Sequence, residues 1–146
     1  MRKRTLAREH ALKLLYQINL VSSDAEEALS SYWENLPQPA EEDVRTYSER
    51  LVKGTIGHLS FIDGIISKYA ENWNLDRMAA IDRNVLRFAT YELLFLDPEI
   101  PPKVVINESV NIAKKFSTEE SGRFVNGVLD KINHSEPRIP ANPPTT

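Results

Sequence analysis

The segment from residue 81 to residue 96 constrains the fold most, because apolar side chains cover most of its circumference when it is drawn as a helix. Such a helix must be packed on several sides. Elsewhere, apolar residues recur at helical spacing, as in residues 5–21 and 40–72, and no stretch alternates convincingly as a strand does. Only residues 103–106 suggest a strand, by β-propensity alone. We therefore predict an all-α fold of about seven helices.

Polar and proline-rich sequences predict the domain organisation. Asn72, Trp73 and Asn74 interrupt the helical pattern, so we expect an N-terminal helical subdomain over residues 1–72 packed against a C-terminal one over residues 73–134. Residues 135–146 contain four prolines among polar residues, which predicts a flexible tail.

Individual residues predict where helices begin or bend. Asp24 is suited to the N-cap of a second helix, and the sequence from Ser117 to Glu120 fits a capping box at the start of the last one. Pro102 suits the first turn of the preceding helix. The glycines of the long third helix, at positions 54, 57 and 64, predict a bend or a close helix contact.

Composition excludes several functional classes. The chain has no cysteine, so disulfides, thiolate metal sites and cysteine nucleophiles are excluded, and a cytoplasmic location is the default. A net charge of -3 argues against a protein that coats nucleic acid non-specifically. No apolar run is long enough to span a bilayer. The three histidines lack ligand spacing and no catalytic motif is present, so we predict no metal, no cofactor and no enzymatic activity.

Aromatic side chains beside cations point to RNA. The first thirteen residues concentrate positive charge, with Glu9 as the one acidic residue. Their cations are Arg2, Lys3, Arg4, Arg8 and Lys13. Tyr16 falls opposite the apolar face of this helix, while Phe124 lies at the edge of the apolar stripe of the last helix. Rings and cations together suit a single strand, whose bases stack while its phosphates are neutralised. The alternatives are a frayed, solvated terminus and two aromatics that only fill the core.

Several segments, in this order along the chain, resemble the NusB family of transcription antitermination factors. The matching segments are Ala7-Arg8-Glu9 with Ala11, Leu15 and Tyr16, then Leu86-Arg87, Tyr91-Glu92-Leu93, residues 103–108, Ala113-Lys114 and residues 124–130. The resemblance runs from about Arg4 to Ile132. It implies a two-part helical protein, without catalysis, that binds the boxA element of nascent ribosomal RNA jointly with ribosomal protein S10. It also implies that the protein acts with other Nus factors in the RNA polymerase antitermination complex.

The resemblance implies a set of site residues. RNA contacts are expected on one continuous surface, at Arg2, Lys3, Arg4, Arg8, Lys13, Tyr16, Glu120, Arg123, Phe124 and Lys131. Thr5 and Leu6 stand where family members often carry arginines, which implies modest affinity for RNA alone. Asp76 and Asp82 match positions that face the basic protein S10, although both also suit helix caps, as Glu120 does.

Other polar residues are interpreted as structural. Glu92 lies among apolar residues and requires a partner, with Arg83, Arg87 or a donor from another helix as candidates. Asn107, Glu108 and Asn126 are expected to serve structural roles, the first two by hydrogen bonding between helices. Gly127 is expected to let another helix approach.

Two other functions stay open on this sequence. A helical adaptor that binds only protein would use the same exposed surfaces without RNA specificity. The RNA-binding module of a ribosomal RNA methyltransferase would share the NusB-like fold. Exposed apolar surface would suit either S10 or a second copy of the chain, so a homodimer is also open.

Overall fold

The computed structural model describes residues 2–21, 24–71 and 74–140, and within these ranges it contains helices and no strand. The predicted all-α fold is therefore confirmed. The helices are α1 (Arg2–Val21), α2 (Ala25–Glu34), α3 (Glu42–Gly57), α4 (Leu59–Tyr69), a short 3-10 helix (Leu75–Arg77), α5 (Ala80–Phe95), α6 (Pro102–Phe116) and α7 (Glu119–Ser135). The chain divides into two compact units, unit 1 over residues 1–57 and unit 2 over residues 58–146.

Unit 1 is built on α1, which packs against α3 and α2. The apolar face that the periodicity predicted is buried, with Ala7, Ala11 and Leu14 fully inaccessible to solvent. Asp24 is the N-cap of α2, as predicted, and its side chain accepts a hydrogen bond from the backbone N–H of Glu26 at 3.4 Å. Burial of one face of α1 leaves the opposite face to the solvent.

Aromatic residues of α2 connect it to its two neighbours. Trp33 donates a hydrogen bond from Nε1 to Glu49 of α3 at 2.7 Å. Next to it, the Tyr32 hydroxyl and His10 Nδ1 of α1 lie 2.6 Å apart. Burial raises the pKa of Tyr32 to about 12, so this hydroxyl keeps its proton at neutral pH.

Unit 2 is built around α5, which contacts α4, α6 and α7. This confirms the prediction that residues 81–96 form a central helix. Leu86, Phe88 and Leu93 are fully buried, and burial of each such side chain contributes about 1.5–3 kcal/mol. Arg87 donates to both carboxylate oxygens of Asp63 on α4, at 2.8 and 2.9 Å. This bidentate pair fixes α4 on α5.

The long helix expected between residues 40 and 72 is two helices. α3 ends at Gly57 and α4 begins at Leu59. The physical reason is the low helix propensity of glycine, and the break places the ring of His58 4.4 Å from the ring of Phe95. Because α4 packs on α5 and α7, the two units meet in sequence between residues 57 and 58. The boundary that we expected at 72/73 falls on residues outside the described ranges.

The segment after α7 differs from the predicted flexible tail. α7 continues to Ser135 and is followed by Glu136, whose carboxylate accepts hydrogen bonds from the Tyr69 hydroxyl and from Lys68 Nζ on α4. The two hydrogen bonds, with Tyr69 the stronger influence, lower the pKa of Glu136 below its ordinary value. This side chain therefore binds the segment to α4.

Two further contacts hold residues 136–140. Arg138 donates from Nε to Asp97 at 2.9 Å, and the backbone N–H of Ile139 donates to the carbonyl of Leu94 at 2.7 Å. The Ile139 bond satisfies a carbonyl at the C-terminal end of α5, which has no partner within its own helix. The prediction of a tail starting at residue 135 is thus wrong for residues 135–140, and residues 141–146 lie outside the described ranges.

Candidate nucleic-acid interface

The solvent-facing side of α1 carries cations and apolar side chains together. Arg2, Leu6, Lys13 and Tyr16 recur at helical spacing on the side opposite the buried stripe. All four are exposed, Leu6 by 43% and Tyr16 by 46% of their accessible surface. The exposure predicted for Tyr16 is confirmed. We call these four residues the α1 face.

The cations at the start of α1 are positioned by acidic and aromatic side chains of unit 1. Lys3 Nζ lies 3.1 Å from Glu41 and 3.2 Å from Asp43, and hydrogen bonds to Glu41 and then Asp43 raise the pKa of Lys3. The guanidinium of Arg4 lies 5.1 Å from the centroid of the Tyr47 ring. The ion pairs of Lys3 are exposed and therefore weak, so the phosphate of an incoming RNA can take the place of Glu41 and Asp43.

Arg8 is placed differently from the expected phosphate contact. Its side chain is fully buried, and its guanidinium lies 5.8 Å from the centroid of the Tyr47 ring. The reason is position on the helix, because Arg8 follows Ala7 and precedes Ala11 on the side of α1 that is buried. A planar guanidinium can stack on a ring at such a site. Arg8 is therefore not a surface contact for RNA.

Unit 2 contains an open cleft of about 610 Å³ between the start of α5 and the start of α7. We call it the α5–α7 cleft. Its lining combines apolar atoms with carboxylates, hydroxyls and one guanidinium. The lining residues are Met78, Ala79, Asp82, Thr118, Glu120, Ser121, Arg123 and Phe124. Phe124 is half-buried and Arg123 is exposed, so a ring and a cation occur together here.

The start of α7 is capped by a different residue from the one predicted. Thr118 is the N-cap, and its hydroxyl accepts a hydrogen bond from the backbone N–H of Ser121 at 3.0 Å. The capping box predicted from Ser117 to Glu120 is therefore wrong by one position. Glu120 instead lies one turn before Phe124, exposed and at the cleft. Capping does not explain its presence.

The two acidic residues expected to face a basic protein differ in exposure. Asp76 is exposed in the 3-10 helix, where the cap is Asn74, whose side chain accepts from the Asp76 N–H at 3.0 Å. Asp82 is half-buried in the first turn of α5. Burial raises the pKa of Asp82, and a hydrogen bond with Ser121 partly offsets the rise. Because Asn74 caps the 3-10 helix, Asp76 does not serve as its cap.

The remaining cation of α7 and its neighbours face outward. Lys131 is exposed, with Nζ 3.8 Å from Glu71. Gly127 is also exposed, and a Cβ built there would meet nothing within 4 Å among the described residues. The expectation that Gly127 admits another helix is therefore wrong. Asn126 is exposed as well, which leaves it no buried structural role.

The interpretation of other polar residues as structural holds in part. Glu92 is fully buried, as its apolar neighbours predicted. Glu108 is half-buried, whereas Asn107 lies on the exposed side of α6. The expected hydrogen bond of Asn107 to a neighbouring helix stays a prediction.

Several residues of these surfaces were missed in the sequence. Leu6 shares the α1 face with Lys13, and the seven-residue separation of the two was the available signal. Met78 and Ser121 line the cleft because α5 and α7 pack together, and no local pattern indicates that.

Within the described ranges, no three histidine, cysteine or acidic side chains come together in a way that would hold a metal ion. In the same ranges, no helix has the length and apolarity needed to cross a membrane.

The fold and these surfaces define an all-α protein of two helical units, each of which presents an aromatic side chain beside cations. The model of the NusB family matches residues 5–134. The chain belongs to the NusB family of transcription antitermination proteins.

Known relatives cover almost the whole chain. The transcription antitermination protein NusB of Anaeromyxobacter dehalogenans is 48% identical over 130 residues, which are 89% of each chain. Among solved structures, Thermotoga maritima NusB has a TM-score of 0.81 and 40% identity, and the match covers 94% of this chain and 93% of that one. A chain of the complex of antitermination factors NusB and NusE with double-stranded RNA has a TM-score of 0.80 and 34% identity, with coverage of 92% and 98%.

Proposed function

We propose that the protein is an RNA-binding transcription antitermination factor that binds the boxA element of nascent ribosomal RNA together with ribosomal protein S10, also called NusE. The observation that carries the proposal is the membership of the NusB family, one of whose solved structures is a complex with NusE and RNA. The exposed aromatic and cationic side chains of both units supply the matching chemistry.

In unit 1, the α1 face and the two cations beside it bind RNA. Arg2, Lys3, Arg4 and Lys13 neutralise phosphates, and the Tyr16 ring supplies a stacking platform or a hydroxyl for a phosphate. Arg8 is a positioning residue in this proposal. Its buried guanidinium beside Tyr47 supports the ring that also lies next to Arg4.

In unit 2, a nucleobase lies against Phe124 in the α5–α7 cleft. The carboxylate of Glu120 repels phosphates but accepts hydrogen bonds from base N–H groups, so this part of the cleft suits a base rather than the backbone. Arg123 at the exposed side, and Lys131 further along α7, are placed for phosphates. Gly127 leaves room beside this site for an approaching strand.

S10 binds through acidic side chains of unit 2. Asp76 is exposed and its carboxylate is not needed as a cap, which suits an approaching cation. Asp82 contributes from the cleft. An exposed apolar side chain of unit 2 such as Phe61 would be covered by S10 in this proposal, and by a second copy if the protein is a homodimer.

The cellular setting follows from the same proposal. The protein works in the cytoplasm within the RNA polymerase antitermination complex, with other Nus factors, and performs no catalysis. Binding of RNA and S10 together lets RNA polymerase read through terminators.

The proposal is tested by measuring binding to a fluorescent boxA RNA and to a scrambled RNA of the same composition. Each measurement is made with and without S10 at near-physiological salt. We expect selective binding of boxA that S10 strengthens. If the protein bound S10 but had equal affinity for the two RNAs, the proposal would be refuted in favour of a protein adaptor.

A further inference from the structure

The outer face of α6 carries a row of hydrogen-bond donors that the proposed sites do not use. Lys103, Asn107, Asn111 and Lys114 are all exposed. At 3.6 residues per turn they fall within about 80° of one another. Buried Val105 and Ile112 lie on the opposite side of the same helix. We call these four residues the α6 row.

The chemistry of the row is that of a surface for phosphates. Each of the four side chains carries N–H donors, two of them cationic, and no carboxylate belongs to the row. Lysine and asparagine are among the side chains that bind phosphate oxygens of nucleic acids. A basic protein such as S10 would meet repulsion here, so charge complementarity favours RNA.

The spacing of the row fits a polynucleotide backbone. Four residues of helix rise about 6 Å, so the row presents a donor at each such step from Lys103 to Asn111, with Lys114 completing it. This interval is comparable with the distance between successive phosphates of an unstacked strand. A strand lying along α6 can therefore place successive phosphates on successive side chains.

The Lys114 end of the row lies beside the proposed site on α7. A Cβ built at Gly122 would lie 2.6 Å from Cγ of Lys114, so the aliphatic part of Lys114 lies against α7 at Gly122. The next two residues along α7 are Arg123 and Phe124. Nζ of Lys114 is 3.6 Å from Glu119, an exposed surface pair that a phosphate can displace.

We infer that the α6 row binds the backbone of an RNA strand that extends beyond the boxA site, without reading its bases. The inference rests on the proposed function, because it takes the RNA to be held first by the α1 face and the α5–α7 cleft. It assigns Asn107 and Asn111 a role in RNA binding.

The test compares three RNAs and three proteins. The RNAs are the boxA element alone and the same element extended by four uridines on the 5′ or the 3′ side, so that the extension adds phosphates with little stacking. The proteins are wild type, the triple variant Lys103→Ala/Asn107→Ala/Asn111→Ala, and Lys53→Ala as a control outside the row. Alanine favours helix, so α6 should persist in the triple variant, which circular dichroism checks.

For the wild type, one of the extensions should raise affinity about fivefold to tenfold. The triple variant should lose this gain. Its affinity for boxA alone should stay within about twofold of the wild type, because its substitutions leave the α1 face and the α5–α7 cleft intact. Its slope of log affinity against log salt for the extended RNA should be shallower by about 0.7, since one cation is removed. Lys53→Ala should keep the gain.

Equal affinity of the wild type for boxA and for both extended RNAs would overturn the inference while leaving the proposed function in place. So would a gain that survives in the triple variant. If the triple variant bound S10 more weakly and retained the gain, the row would belong to a protein interface. Failure of the wild type to bind boxA at all would instead refute the proposed function.

Discussion

Replacement of Phe124 by leucine isolates the stacking contribution of the α5–α7 cleft. Phe124 is half-buried, so leucine retains an apolar side chain for its packed part while the aromatic face is lost. Truncation of a stacking ring typically costs about 1–3 kcal/mol per base, and the apolar contact that leucine keeps reduces this to about 1–2 kcal/mol. Affinity for boxA RNA should therefore fall about 5- to 30-fold.

Fluorescence anisotropy with labelled boxA RNA, at several salt concentrations, measures the effect. Because Phe124→Leu removes no charge, the slope of log affinity against log salt should stay as in the wild type. Phe61→Leu is the matched control, since Phe61 is an aromatic of unit 2 that is 44% exposed and outside the proposed RNA site. It should bind boxA as the wild type does.

An affinity of Phe124→Leu within twofold of the wild type would refute stacking on this ring. A steeper or shallower salt dependence would show that the substitution acts on the cations, through a change in structure. Equal losses in Phe124→Leu and Phe61→Leu would show a general effect on unit 2 in place of a local contact.

Three further predictions concern the structure that supports the site. Asp63→Asn should destabilise unit 2 by about 1–2 kcal/mol in urea unfolding, because it breaks a largely buried bidentate pair with Arg87; an unchanged midpoint would contradict that role. Glu136→Gln should lower the melting temperature at pH 7, and the difference from wild type should shrink as the pH falls below about 4.5, since a carboxylate with a lowered folded-state pKa stabilises only while ionised. A difference that grows in acid would show the opposite shift. Gly127→Ala should raise stability by about 0.5–1 kcal/mol, because its Cβ would meet no neighbour, and a loss of stability would reveal an unseen close contact.

The helices with strong apolar patterns could be predicted from the sequence, because a helix that buries one face has apolar residues at regular helical spacing. The buried stripe of α1, the central position of α5 and the exposure of Tyr16 follow from that rule. Pro102 as the first residue of α6 and Asp24 as the N-cap of α2 follow from local chemistry, since each preference depends only on residues close in sequence.

Errors arose where a residue's environment is set by a neighbouring helix. Arg8 belongs to a basic cluster in sequence, yet α1 turns it to the buried side near Tyr47. Gly127 suggests a contact between helices, yet it faces outward. The N-cap of α7 was predicted at Ser117 but is Thr118, so Glu120 lies at the cleft and is not part of a capping box.

The sequence by itself determined the all-α class, most helix faces and the family, because periodicity and ordered local matches do not depend on how distant segments meet. Tertiary structure alone decided which cations are accessible, where the unit boundary lies and that residues 136–140 are held against α4 and α5. The physical reason is that accessibility and pairing depend on which helices pack together, and residues such as Arg8 and Arg138 find partners that are distant in sequence.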